Sequence, residues 1–357
     1  MLLYMPTKVY SEAGCVKKHG KEMVAFGNKA MLVTGKHSAK VNGSQKDVEE
    51  VLSQEGISYI IFDEVEENPS IETVMKAREI GIKEHVDFVI GIGGGSPLDA
   101  AKAIALMIAN PKETEDVFYA DKKLSHLPVV CIPTTCGTGS EVTPYSILTI
   151  HKKQTKKGIK HRVYPALALL DANYLKSMSR ECLVNTCVDA LAHLLESYLN
   201  TNSNEWNRTY SREGLMLWAQ FAKRLQMDDV KEEDYEKMLR ASSLAGMAIT
   251  HTGTSIPHGL SYPITYELKM PHGKAVGIFL AGFVRQYENE TEVKEALSYL
   301  GFGNIIEFAS YMQKLLGNVE VEERLLETSI SNLLSDPAKL KNYPYDITEK
   351  ELRRILV

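Results

Sequence analysis

Asp189 and His193 stand four residues apart in a stretch whose pattern is helical, and together they supply a carboxylate and an imidazole. From Glu181 to Tyr198 the apolar positions Leu183, Val188, Leu191, Leu194 and Leu195 mark a largely buried helix, along which Asn185, Asp189, His193 and Glu196 form a polar stripe. A spacing of four puts two side chains on one face, one turn apart, as two ligands of one metal require. Alone, such a pair is more often a helix-surface ion pair or a satisfied core histidine. Two further histidines change that balance: His258 in SIPHGL (255–260) and His272 in MPHGKA (270–275), each beside proline and glycine at an expected helix start. Together they offer one carboxylate and three imidazoles. If all four bind, a metal tolerating five or six ligands is favoured, because a tetrahedral site would leave no position for substrate. Fe(II) suits this set, with Zn(II), Mn(II) and Ni(II) as alternatives that affinity order alone does not separate.

A second chemistry-bearing stretch, DFVIGIGGGSPLD (87–99), reads as a strand running into a glycine turn and then a helix. Glycines let backbone N–H groups approach an anion closely, Ser96 has the type of an N-cap, Pro97 suits the first helical position, and Asp99 has capping-box spacing. Such a helix start binds phosphate. The third glycine of G-x-G-x-x-G is replaced by Ser96, so this turn alone is a weak signal. A second turn, PTTCGTGSE (133–141), follows the next apolar run and is rich in hydroxyls and glycines suited to ribose, pyrophosphate or the nicotinamide amide.

The elements that must position these residues alternate strand and helix through the first half of the chain. Strands are expected at 30–34, 57–62, 87–92 and 128–132, and helices at 44–54, 70–84 and 97–109. Ser44 with Asp47, and Ser70 with Thr73, stand at helix starts. Near-continuous apolar strands between helices imply a parallel sheet covered on both faces, with ligands at the carboxyl ends of its strands. A hairpin is expected around 146–170, its tip the lysine-rich HKKQTKKGIKHR (151–162), read as a solvated turn and not a nucleic-acid patch. From about Asp171 onward the period is helical, which sets the expected domains at 1–175 and 176–357.

A chain of 357 residues exceeds what one core usually serves, and its net charge of -5 offers no general attraction for nucleic acid or anionic lipid. A small molecule is the expected partner. The N-terminal residues do not read as a signal peptide and no run of about 18 apolar residues occurs, so the expected compartment is the cytoplasm, with no membrane partner. Five cysteines without a CxxC pair indicate buried thiols, neither a disulfide framework nor a zinc ribbon.

Taken together, GGGSPLDAAK (93–102), PTTCGTGSEVT (133–143), Asp189-x3-His193 and His258-x13-His272-Gly273 resemble the iron-containing alcohol dehydrogenase family, over essentially the whole chain. The resemblance implies a dehydroquinate synthase-like fold. That fold has an α/β N-terminal dinucleotide-binding domain, an all-α C-terminal metal-binding domain, and an active site in the cleft between them. It implies metal ligation by Asp189, His193, His258 and His272, and cofactor phosphates at Gly94, Gly95 and Ser96. It further implies nucleotide contacts by Asp99, Thr134, Thr135 and Thr138, Lys157 as a lysine reaching the ribose, and a homodimer.

Two departures from the family pattern bear on chemistry. NAD-preferring members commonly carry Asp in the turn after the first strand; Gly35 stands there, with Lys36, Ser38 and Lys40 nearby, which points to NADP(H), NAD being the other candidate. Four residues after His258, where many relatives have another histidine, this chain has Tyr262, which lines the pocket in this reading; a phenol is a poor base near neutrality. The expected reaction is hydride transfer between NADP(H) and a small primary alcohol or aldehyde. A polyol oxidoreductase of the glycerol dehydrogenase type would use one Asp and two His, a dehydroquinate synthase-like lyase a Glu in place of Asp189, and a non-catalytic dinucleotide sensor no intact ligand set.

Overall fold

The computed structural model describes residues 3–153, 155–335 and 337–356, which group into two compact units. The α/β unit comprises Met5–Thr135 and Gly139–Met178; the helical unit comprises Ser179–Val357 with Cys136–Thr138 and a short N-terminal segment ending at Tyr4.

In the α/β unit, strands β1 (Lys8–Ser11), β2 (Lys29–Thr34), β3 (Ser58–Phe62), β4 (Phe88–Gly93), β5 (Val129–Pro133), β6 (Ile147–Ile150), β7 (Thr155–Gly158) and β8 (Leu167–Leu170) are joined by helices that include α1 (Ser44–Gln54), α2 (Ile71–Lys83) and α3 (Gly95–Ala109). Six strands form one parallel sheet in the order β1-β8-β5-β4-β2-β3. Side chains alternate between the faces of a strand, and both faces are apolar here. Met31, Val33, Val89, Val129 and Cys131 pack with Val74 and Ala77 of α2 and Ile104 of α3 on one side. Leu32, Phe88, Ile90, Val130 and Ile132 pack with Val48, Val51 and Leu52 of α1 on the other. This two-sided burial is what the near-continuous apolar strands imply.

Local differences from the sequence reading have identifiable causes. The hairpin is confined to β6 and β7, paired antiparallel, whereas Leu167–Leu170 enters the main sheet between β1 and β5. Strand β1, unread in the sequence, is a half-exposed edge strand with no apolar run to announce it. The first helical residue of α1 is Ser44, and its N-cap is Gly43 at φ 83; the Ser44 hydroxyl donates to Asn42 Oδ1 at 2.6 Å and does not cap. Ser70 does cap α2, accepting from the Thr73 N–H at 3.2 Å.

The helical unit is built around α4 (Arg180–Tyr198), with α5 (Glu205–Met227), α6 (Glu232–Thr252), α7 (Ile256–Leu268) and the short α8 (His272–Gly277). Helix α4 starts at Ser179, whose hydroxyl accepts from the Cys182 N–H. Its apolar positions Leu183, Val188, Leu191, Leu194 and Leu195 are buried, and the Trp218 indole donates to the Cys187 carbonyl at 2.9 Å. The cysteines are all unbridged thiols, four of them buried. Among the described residues, no helix is long and apolar enough to cross a membrane.

Candidate metal centre and nucleotide-binding turns

Helix α4 presents Asp189, His193 and Glu196 along one side, as the 3.6-residue period requires, and all three are buried. Helix α7 brings His258 and α8 brings His272 to the same place. The Asp189 carboxylate is the hub: its Oδ1 lies 3.4 Å from His258 Nε2, 3.8 Å from His272 Nε2 and 3.9 Å from His193 Nε2. Donor atoms of Asp189, His258 and His272 all fall within 4.8 Å of one another. The His193 and His258 rings stack with centroids 4.5 Å apart, and the Tyr262 ring lies nearly parallel to His272 with centroids 6.3 Å apart.

How close the backbones come is set by Gly273. A Cβ there would stand 1.8 Å from the Asn185 carbonyl oxygen of α4, so only glycine lets His272 reach Asp189. On the Thr186 side of α4 lies Gly137, whose carbonyl accepts from His193 Nδ1 at 3.3 Å and so turns Nε2 toward Asp189.

Two atoms of this cluster, Asp189 Oδ1 and His258 Nε2, are buried 3.4 Å apart, with no hydrogen bond to any other group among the described residues. Unsatisfied buried polar atoms are rare in native proteins, and these two face each other. A divalent cation among the four donors would satisfy both, so the donor set fits one. The electrostatics differ in direction among the donors. Burial works against the Asp189 carboxylate, yet the three imidazoles hold it well below the usual carboxylate range. Burial dominates at His193 and lowers its pKa, favouring the neutral ring a metal needs. At His258 burial pulls the same way, but the Glu196 and Asp189 carboxylates outweigh it and push the pKa up to about 10.

In the α/β unit, the register pairs Thr34 with Ile92, Ile92 with Ile132 and Gly93 with Pro133, so the turns after β2, β4 and β5 leave neighbouring strand ends together. The turn after β4 differs from the expected capping box. Helix α3 starts two residues earlier, with Gly94 as N-cap and no side-chain cap, Gly95 and Ser96 in its first turn and Gly93 at φ 149, where a residue with a Cβ is strained. Its first N–H groups are therefore available to an anion. A Cβ at Gly94 would stand 3.1 Å from the Thr135 hydroxyl oxygen, so the two glycine-rich turns adjoin, and the Thr134 N–H donates to the Gly93 carbonyl at 2.9 Å.

Ser96 Oγ accepts from the Asn68 N–H at 3.0 Å. Asp99 accepts from Ser140 Oγ and, at 2.8 Å, from the Ile147 N–H, anchoring the loop ahead of β6 instead of capping α3. Thr138 belongs with Cys136 and Gly137 to the helical unit. Gly35 is half-buried, and Lys36 and Ser38 are exposed. Lys40 is not a free cation, because it donates to Asp63 at 2.7 Å. Lys157, on β7, is exposed with its Nζ 5.4 Å from the Tyr119 ring centroid. Its neighbour Lys156 is half-buried and donates to Asn68 Oδ1 at 2.7 Å, so the lysine-rich segment is less solvated than its composition suggests. Glu196, read in the sequence only as part of the stripe, is fully buried against His258.

The iron-containing alcohol dehydrogenase profile matches residues 6–172, and the C-terminal profile of the same family matches residues 183–340. The NADPH-dependent butanol dehydrogenase of Clostridium saccharobutylicum is 30% identical over 92% of this chain and 83% of its own. The mitochondrial hydroxyacid-oxoacid transhydrogenase of Caenorhabditis briggsae is 32% identical over 70% of this chain, which spans 62% of that protein. A crystal structure of an iron-containing alcohol dehydrogenase from Thermotoga maritima superposes with a TM-score of 0.91 at 40% identity, covering 99% of this chain and 98% of that one. The chain belongs to the iron-containing alcohol dehydrogenase family.

Proposed function

We propose that the protein transfers a hydride reversibly between NADP(H) and a small primary alcohol or aldehyde at a divalent metal centre, with Fe(II) the fitting ion and Zn(II) the alternative. The observation that carries this reading is the pair of buried atoms Asp189 Oδ1 and His258 Nε2, which face each other at 3.4 Å with no other hydrogen-bond partner among the described residues, inside a four-donor cluster. Asp189, His193, His258 and His272 would hold the ion, which supplies Lewis-acid polarisation of the substrate oxygen, an effect typically worth several kcal/mol.

The chain's own residues do the rest. Asp189 brings the negative charge that offsets the cation, and the Gly137 carbonyl keeps His193 Nε2 turned inward. His272, with a third of its side chain exposed, leaves one side of the cluster open to substrate, and Tyr262 beside it forms a wall. The uncapped start of α3, with Gly94, Gly95 and Ser96, is suited to the cofactor's pyrophosphate, and the hydroxyls of Thr134, Thr135 and Thr138 to its polar groups. Lys157 is assigned to the ribose and Asp99 to the loop that flanks the nucleotide. In this reading residues 1–175 carry the cofactor and 176–357 the metal and substrate, in a cytoplasmic homodimer.

The NADP(H) preference rests on what surrounds Gly35. No carboxylate stands at that turn, Lys36 is exposed, and the nearby Asp63 is occupied by Lys40, which holds its carboxyl below the usual range. The butanol dehydrogenase relative is NADPH-dependent.

The test is to load the metal-free protein anaerobically with Fe(II), or separately with Zn(II), and follow NADPH and NADH oxidation with butanal. Metal-dependent turnover favouring NADPH is expected. Turnover without metal refutes the metal reading, and equal efficiency with NADH refutes the Gly35 argument.

A further inference from the structure

We propose that Glu196 is a positioning residue that fixes the tautomer and the seat of His258 for metal binding, an inference that rests on the metal-centre reading above. Glu196 is seven residues after Asp189 on α4, two turns along the same face, and its side chain is 0% exposed. One carboxylate oxygen, Oε1, accepts from the backbone N–H of Ser255 at 2.8 Å and of His258 at 3.3 Å. The other, Oε2, is bonded to His258 Nδ1. One carboxylate from α4 therefore holds both the start of α7 and the ring that α7 carries.

Capping alone does not account for this group. Helix α7 has Ser255 at its N-cap, a residue type that caps helices without a charge, yet Ser255 makes no side-chain cap bond there. A carboxylate is costly to bury unless its bonds use the charge. The bond that uses it is the one to Nδ1. When a metal displaces the second ring proton, the proton held by Glu196 stays on Nδ1 and the lone pair is on Nε2, the atom 3.4 Å from Asp189 Oδ1 that has no other partner among the described residues. A carboxylate on the far nitrogen also makes Nε2 a stronger donor to a metal. His193 is oriented by the neutral Gly137 carbonyl instead, so the two stacked imidazoles are unequal ligands and His258 is the stronger.

Glu196→Gln tests this. The amide keeps one acceptor for the two backbone N–H groups, which leaves its NH2 facing Nδ1 and drives the ring proton to Nε2, where the metal would bind. Zn(II) affinity measured by chelator competition should fall by about 10- to 100-fold, as for other residues that orient ligands, with a shifted visible spectrum of the Co(II) form. In a His258→Ala background, Glu196→Gln should add almost nothing, because the two act as a unit; full additivity overturns the proposal. Unchanged Zn(II) affinity and Co(II) spectrum in Glu196→Gln, with wild type binding normally, also overturn it while leaving the metal centre intact. Wild type that binds no Zn(II), Co(II) or Fe(II) removes the metal reading itself. If the variant does not fold, 15N spectra of histidine-labelled, Zn(II)-loaded wild type decide: the proton on His258 Nδ1 and metal on Nε2 support the proposal, and the reverse overturns it.

Discussion

The donor cluster around Asp189 and the strand-end turns of the α/β unit are built to opposite tolerances. Around α4, Asp189, His193 and His258 are buried, the far nitrogens of these two histidines are held by fixed acceptors, and backbones touch so closely that a Cβ on Gly273 would lie 1.8 Å from a carbonyl oxygen. At the end of β2, by contrast, a Cβ on Gly35 would meet nothing nearer than the Val65 carbonyl oxygen at 3.4 Å, and Lys36 and Ser38 face solvent. A reacting centre must hold several atoms to a fraction of an ångström, whereas a cofactor's ribose is met by groups on adaptable turns. Change at the first should therefore destroy activity. Change at the second should redirect it.

The largest effect is expected from Asp189→Asn, which removes the charge that faces three imidazoles. Metal content by elemental analysis should fall to background and turnover by roughly a thousandfold or more, while NADPH still binds by fluorescence titration. Retained metal with full turnover would take Asp189 out of the centre. Next comes Gly273→Ala, which must push His272 off its seat by about an ångström, enough to lower turnover by roughly a hundredfold. Normal kinetics in that variant would mean that α8 is free to shift and that the two regions are not so different.

A smaller, graded effect comes from protons. In the metal-free protein His258 is protonated below about pH 10, and the metal needs its Nε2 free, so uptake expels a proton. Zn(II) affinity corrected for metal hydrolysis should weaken as pH falls from 8 to 6, by up to about tenfold per unit. A flat profile would contradict the charge assignment at His258. The mildest change is Gly35→Asp, for which the turn has room. It should lower the NADPH-to-NADH preference by about tenfold or more through like-charge repulsion of the 2′-phosphate, with metal content and folding unchanged.

Legibility in the sequence followed the same divide between local and distant causes. Strands β4 and β5 are apolar runs buried on both faces, and they could be read directly. Strand β8 could not, because Leu167–Leu170 follows a hairpin and its place is set by β1, more than 150 residues earlier. The helix carrying Asp189 and His193 was legible from its period, and the structure brings His258 and His272 to it as the sequence pattern suggested. The capping box expected at Ser96 does not form, because Gly94 takes an extended conformation and starts α3 two residues earlier. The role of Glu196 was invisible for a different reason: its partners Ser255 and His258 are about sixty residues away, and no local pattern connects them.

Anomalous X-ray diffraction at the iron edge, on crystals grown anaerobically with Fe(II), tests the central claim most directly. One strong peak is expected within bonding distance of Asp189 Oδ1 and of Nε2 of His193, His258 and His272. A peak elsewhere, or full catalytic activity in crystals with no peak at these four residues, would contradict it.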